Sequence, residues 1–121
     1  MRFEARELNQ HSEPVPVECL RKGTTYFSLT FLDKEMLIPT LEPVVFIGRN
    51  LEPDDRDRFY FQDADSYRAG IRYHTNDDPV EPDGPNDANF YCGAAPGHIF
   101  DFEHALDLLL VCSLRRKKAP D

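Results

Sequence analysis

MLIPTLEPVVFIGRNL, residues 36–51 of this 121-residue chain, contains Val44-Val45-Phe46-Ile47, an apolar run with no polar side chain inside it. Successive side chains of an extended strand point to opposite faces, so this run is apolar on both. A strand with one face in water would carry a polar residue at every second position. The segment is therefore expected at the centre of a sheet, with both faces covered.

Upstream, residues 24–32 (TTYFSLTFL) place Phe27, Leu29 and Phe31 on one face and Tyr26, Ser28 and Thr30 on the other. That alternation predicts a half-buried strand. Asp33-Lys34-Glu35 reads as a polar turn, with the hairpin returning through Met36 to Ile38. Pro39 and Pro43 cannot donate ladder hydrogen bonds, so residues 39–43 are expected to form a bulge or crossing between two strand pieces. Val15, Val17 and Cys19 alternate with Pro16, Glu18 and Leu20, predicting a first strand that its prolines confine to an edge. Residues 1–14 are polar.

Downstream, residues 51–58 (LEPDDRDR) form a charged connection, and residues 59–62 (FYFQ) a short strand. Asp63-Ala64-Asp65-Ser66 carries turn formers that hydrogen-bond their own backbone. Tyr67, Ala69, Ile71 and Tyr73 then alternate with Arg68, Gly70 and Arg72, which predicts a strand with one basic face. Residues 74–89 (HTNDDPVEPDGPNDAN) hold three prolines, five acids and neither Lys nor Arg. So little apolar surface cannot offset the entropy of ordering, and a mobile exposed loop is expected. Residues 90–92 resume strand character before the small-residue loop 93–97 (GAAPG).

A helix is predicted over residues 101–118. Asp101 is a good N-cap, Phe102, Ala105, Leu106, Leu109, Leu110 and Ser113 follow helical spacing, and Leu108 and Cys112 widen that stripe to over half the circumference. Four cations, Arg115 to Lys118, close it. By apolarity alone Leu108 to Leu114 would also suit a buried strand, but continuity with the capped start favours helix. The short connections between most strands favour hairpins, because parallel neighbours need long crossovers. The expected architecture is α+β: one domain over residues 1–121, with a five- to six-stranded, mostly antiparallel meander sheet. One C-terminal helix packs on one face.

With 22 acids against 14 bases, the formal net charge is -8. No basic face is evident to neutralise phosphate, which argues against nucleic acid and anionic membrane as partners. A basic protein partner is compatible. Residues 52–65 hold six acids (Glu52, Asp54, Asp55, Asp57, Asp63, Asp65) and two arginines, making Asp54, Asp55 and Asp57 candidate partner-binding residues. Three dispersed cysteines with no CxxC pair argue against a disulfide framework. The opening residues MRFEARELNQ lack the apolar core of a signal peptide, and no window of 18 apolar residues occurs. A reducing cytoplasmic compartment is the default expectation.

Cys92 and His98, joined by GAAPG, are the candidate catalytic or ligand-binding pair, since a thiolate nucleophile needs a neighbouring base or cation. The competing reading is a buried structural cysteine, because cysteine is among the most buried residue types. Adding His104 gives ligand spacings of six and six, too long for the usual zinc pairs, so no metal is expected. The acids of residues 76–89 lack the EF-hand pattern. Arg68 and Arg72, on one face of the predicted strand, are candidate oxyanion ligands, since guanidinium forks match carboxylate and phosphate. No phosphate-loop, dinucleotide, zinc-protease or nucleophile-elbow motif is present, and no cofactor is implied. The expected function is a non-catalytic protein-interaction module. It would be a homo-oligomer or a binder of a basic partner, as a toxin-neutralising immunity protein is. The alternative is a small enzyme or ligand-binding domain using the Cys92–His98 loop.

Overall fold

We describe a computed structural model of the chain, covering residue 7 and residues 12–74, 88–93 and 97–118. One five-stranded antiparallel sheet is built from β1 (Thr25–Phe31), β2 (Pro39–Arg49), β3 (Phe59–Asp63), β4 (Phe90–Gly93) and β5 (Ile99–Phe100). The order across it is β4-β3-β2-β1-β5. The first four strands meander, and β5 returns to the far edge beside β1. A short helix, α1 (Ala64–Arg68), follows β3, and a long one, α2 (Phe102–Lys118), ends the described chain.

β2 is the middle strand, and Val44, Val45 and Phe46 are buried on its two faces as the unbroken apolar run requires. On one face Val44 and Phe46 join Tyr26, Phe59, Phe61 and Ile99, closed over by Val15 and Leu20 from the N-terminal segment. On the other, Leu29 and Phe100 pack with Ala105 of α2, flanked by Phe27, Leu108 and Leu109. Register places Val45 opposite Gln62 on this second face, where α1 lies over β2 and β3. Both helices thus cover the same side of the sheet.

Several local expectations are corrected. Residues 39–43 contain no bulge: Pro39 pairs with Phe31 and Pro43 with Phe27 in continuous register. β3 accompanies β2 only from Val44 onward, so both prolines sit where β2 has a single neighbour and a missing N–H is tolerated. The bulge lies further on, where the β2–β3 register skips Ile47 between Phe46 and Gly48. It lets Phe59 and Phe61 both stack against Phe46, at ring separations of 6.5 and 5.4 Å.

The strand predicted at residues 15–19 is an extended segment leading into one turn of 3-10 helix, Val17–Cys19. Its edge position holds in part, since the Val15 N–H donates to the Ile99 carbonyl at 2.9 Å. The strand predicted through Tyr67, Ala69, Ile71 and Tyr73 is absent. Asp63 is instead a helix N-cap, accepting from the Ser66 N–H at 3.0 Å and the Ser66 hydroxyl at 2.6 Å. Gly70, at φ +94°, terminates α1, with Ile71 N–H donating to the Ser66 carbonyl and Gly70 N–H to that of Tyr67. Those two bonds are a Schellman motif, which needs glycine at the left-handed position.

The helix predicted from Asp101 forms as α2, but its buried stripe is rotated. Ala105, Asp107, Val111 and Cys112 are buried, whereas Phe102 and Ser113 are exposed and Leu106 and Leu110 are half-buried. Apolar residues occupy most of the circumference between Ala105 and Leu114, so periodicity alone left the rotation free.

Candidate functional site

Cys92 and His98 are not brought together as a catalytic pair. Cys92 stands opposite Tyr60, on the face that α1 covers, and is exposed rather than buried. Its sulfur accepts from the Arg58 guanidinium at 3.5 Å. His98 instead lines a pocket on the opposite face with Ser28, Glu42, Val44, Phe61, Tyr91 and Ile99. Adjacent strand residues point to opposite faces, so sharing that pocket with Tyr91 separates His98 from Cys92. The expectation of a buried structural Cys92 is corrected too: β4 is an edge strand, and its side chains stay largely in water.

All five strands contribute to that pocket, so the sheet curls around it. The Tyr91 hydroxyl donates to Glu42 at 2.7 Å. That bond, followed by partial burial, pushes the Tyr91 phenol up to about 12. The space inside is about 50 Å³. This admits a few waters or the tip of one side chain, and falls well short of the roughly 300 Å³ or more of a metabolite site.

The candidate acids lie on the connection between β2 and β3. Asp55 accepts from the Tyr60 hydroxyl and, at 2.9 Å, from the Glu52 N–H. The Tyr60 bond leads the causes that hold its carboxyl below the usual range. Tyr60 is correspondingly pushed up, by burial first and by Asp55 second. Tyr73 stacks between Tyr60 and Phe90 and donates to Glu52, and burial with that bond pushes it up to about 12. Asp57 is paired with Arg49. Of the three acids only Asp54 has a carboxylate with no partner among the described residues; the other two hold the connection in place.

Arg68 and Arg72 do not share a strand face, because that strand does not form. Arg68 ends α1, and Arg72 donates to the carbonyls of Tyr67 at 2.7 Å and Ile71 at 2.9 Å. Its guanidinium lies 3.9 Å over the Tyr67 ring. Those contacts, made through Nη1 and the ring, brace the end of α1. His104 is held by Asp101, and among the described residues no group of three His, Cys, Asp or Glu is placed to hold a metal. The acidic loop expected at residues 74–89 lies, for residues 75–87, outside the described residues, as do residues 94–96 of the small-residue loop. Among the described residues no helix is long and apolar enough to cross a membrane.

Sequence reasoning missed the end of the molecule where β1 turns into β2. Leu32 is 73 % and Ile38 52 % exposed there, beside Met36. The Asp33 carboxylate accepts from the N–H groups of Leu37 at 2.9 Å and Ile38 at 2.8 Å. Those bonds hold the turn although Met36 adopts φ 59°, a conformation that costs a non-glycine residue about 1–2 kcal/mol. The last turns of α2 lie alongside, with Cys112 donating to the Leu37 carbonyl at 3.6 Å and Arg115 reaching the Met36 sulfur at 3.7 Å. Between them runs an open groove of about 450 Å³, lined by Pro39, Leu109, Cys112, Ser113, Arg116 and Lys117. A signal was legible in LDKEMLI, where apolar residues flank a charged turn with no strand left to bury them. Comparison of the chain with protein-family models, curated proteins and solved structures finds no match.

Proposed function

We propose that this domain is a non-catalytic protein-interaction module, either self-associating or binding a separate protein. One observation carries the reading. Among the described residues, five of the eight exposed large apolar side chains lie around the β1–β2 turn: Leu32, Met36, Ile38, Leu41 on the adjoining part of β2, and Leu114 on α2. Apolar side chains grouped in this way and rimmed by charge mark contact surfaces, whereas scattered ones need no explanation. The enzyme reading draws less support, because Cys92 and His98 lie on opposite faces and the curled face encloses too little space for a metabolite.

The test replaces Leu32→Ser and Ile38→Ser together. Both side chains are exposed, so folding is retained while the apolar surface is lost. A partner captured by the parent and reconstituted with it from purified components is expected to lose the variant. If association is instead with itself, light scattering reports a smaller species for the variant. A variant matching its parent in every binding and mass measurement would overturn the proposal.

A further inference from the structure

The groove between Pro39 and the end of α2 has an apolar floor and a cationic rim, and we infer that it docks an acidic peptide segment bearing an apolar anchor residue, presented by a separate protein. The inference rests on the interaction-module reading and adds the chemistry of the partner. Pro39, Leu109 and Cys112 form the floor, and Arg116 and Lys117 stand on the rim. Met36 lies against Arg115 near the end of α2, and Leu32 and Ile38 are exposed on the adjoining turn.

Charge selects the occupant. This end carries Lys34, Arg115, Arg116, Lys117 and Lys118 against Asp33 and Glu35, five positive to two negative, in a chain whose net charge is -8. Asp33 is turned inward to the backbone, so its charge is already engaged. A carboxylate-rich segment is attracted to the rim, while its apolar residue displaces water from the floor.

Two other occupants fit less well. An anionic bilayer meets the same cations, but the rest of the molecule is net negative and opposes approach to that surface. Among the described residues, a second copy offers its acids most densely on the 52–57 connection, where Glu52, Asp54, Asp55 and Asp57 stand among Arg49, Arg56 and Arg58. Three of those acids, Glu52, Asp55 and Asp57, are held in internal bonds.

Fluorescence anisotropy of a labelled synthetic peptide of Glu and Leu tests the inference on the full chain, with a Lys-and-Leu peptide as control. The Glu–Leu peptide is expected to bind, more weakly as salt rises, and the Lys–Leu peptide to bind less. Reversing the rim with Arg116→Glu and Lys117→Glu is expected to weaken binding at least about ten-fold. The fold should be retained with a modest fall in melting temperature, since both residues are exposed but favour the C-terminal end of α2. Equal binding of the two peptides, indifference to the reversal, co-sedimentation with phosphatidylserine vesicles, or self-association abolished by the reversal would each overturn it. If the Glu–Leu peptide fails while Leu32→Ser with Ile38→Ser still abolishes partner binding, the acidic partner is wrong and the module reading stands.

Discussion

At the scale of single residues, Asp63 holds more of the structure than its half-exposed position suggests. Its carboxylate caps α1 through Ser66 and also accepts the Asn89 N–H at 2.8 Å, tying the helix start to the start of β4. Burial alone would raise its pKa, but the Ser66 hydroxyl and the N–H groups of Asn89 and Ser66 outweigh it and hold the carboxyl below its ordinary value. The linkage has one sign: a depressed carboxyl stabilises the fold above the ordinary range near pH 4, and that contribution is lost as pH falls through the folded value. Asp63→Ala is expected to cost about 1–2 kcal/mol at neutral pH by thermal or urea unfolding. The variant should also lose less stability than the parent on acidification; an equal loss would show that Asp63 is not the group responsible. The cysteines divide by exposure. Cys19 and Cys92 are expected to react with a thiol reagent in the native protein, and Cys112 only after unfolding. Labelling of Cys112 as fast as the other two would contradict its burial on the side of α2 that faces Leu37.

The elements show where one residue sets the geometry of many. Gly48 follows the bulge at φ +150°, and a β-carbon there would stand 2.7 Å from Leu51 Cδ2. Gly48→Ala is expected to destabilise by about 1–3 kcal/mol, because backbone strain and the clash act together. A melting temperature equal to that of the parent would mean that the bulge relaxes freely. On α2 the rotated stripe separates two leucines that periodicity treats alike. Leu109 packs against the cluster of Leu29, Phe100 and Ala105, and Leu106 does not. Leu109→Ala is expected to cost about 2 kcal/mol or more, and Leu106→Ala clearly less. Equal costs, or the reverse order, would contradict that packing.

For the molecule as a whole, the two ends of β2 carry different surfaces. Its eleven residues span roughly 33 Å at a strand's rise, from the cationic, apolar end near Pro39 to the connection after Arg49. The acids of that connection are mostly structural. Replacing Asp54, Asp55 and Asp57 together by Asn is expected to lower the melting temperature, because the bonds to Tyr60 and Arg49 are lost or weakened. Asp54→Asn alone should stay within about 0.5 kcal/mol of the parent. A basic partner that depends on this surface would therefore be tested cleanly by the single change only. If the triple variant keeps its parent's stability, the three acids are free for a partner after all.

What the sequence by itself determined follows from short-range periodicity. Val44 to Phe46 had to lie at the centre of a sheet, residues 24–32 had to form a half-buried neighbour, and the capped, cation-ended segment after Asp101 had to be a helix. Each rests on side chains that alternate or recur along one element, so no distant contact is needed to read them. The α1 signals, Asp63 and Gly70, were also present, but the Tyr67–Tyr73 alternation masked them until tertiary packing fixed Gln62 beneath the helix, with Nε2 donating to Ser66 and to the Ile71 carbonyl at 2.8 Å. Only the tertiary structure decided the rotation of α2, the separation of Cys92 from His98 and the engagement of Asp55 and Asp57. The same holds for the meeting of Met36 with Arg115, 79 positions apart in the chain. Those features depend on which surfaces meet across the sheet, and many distant pairings satisfy one local pattern equally well, so packing alone selects among them.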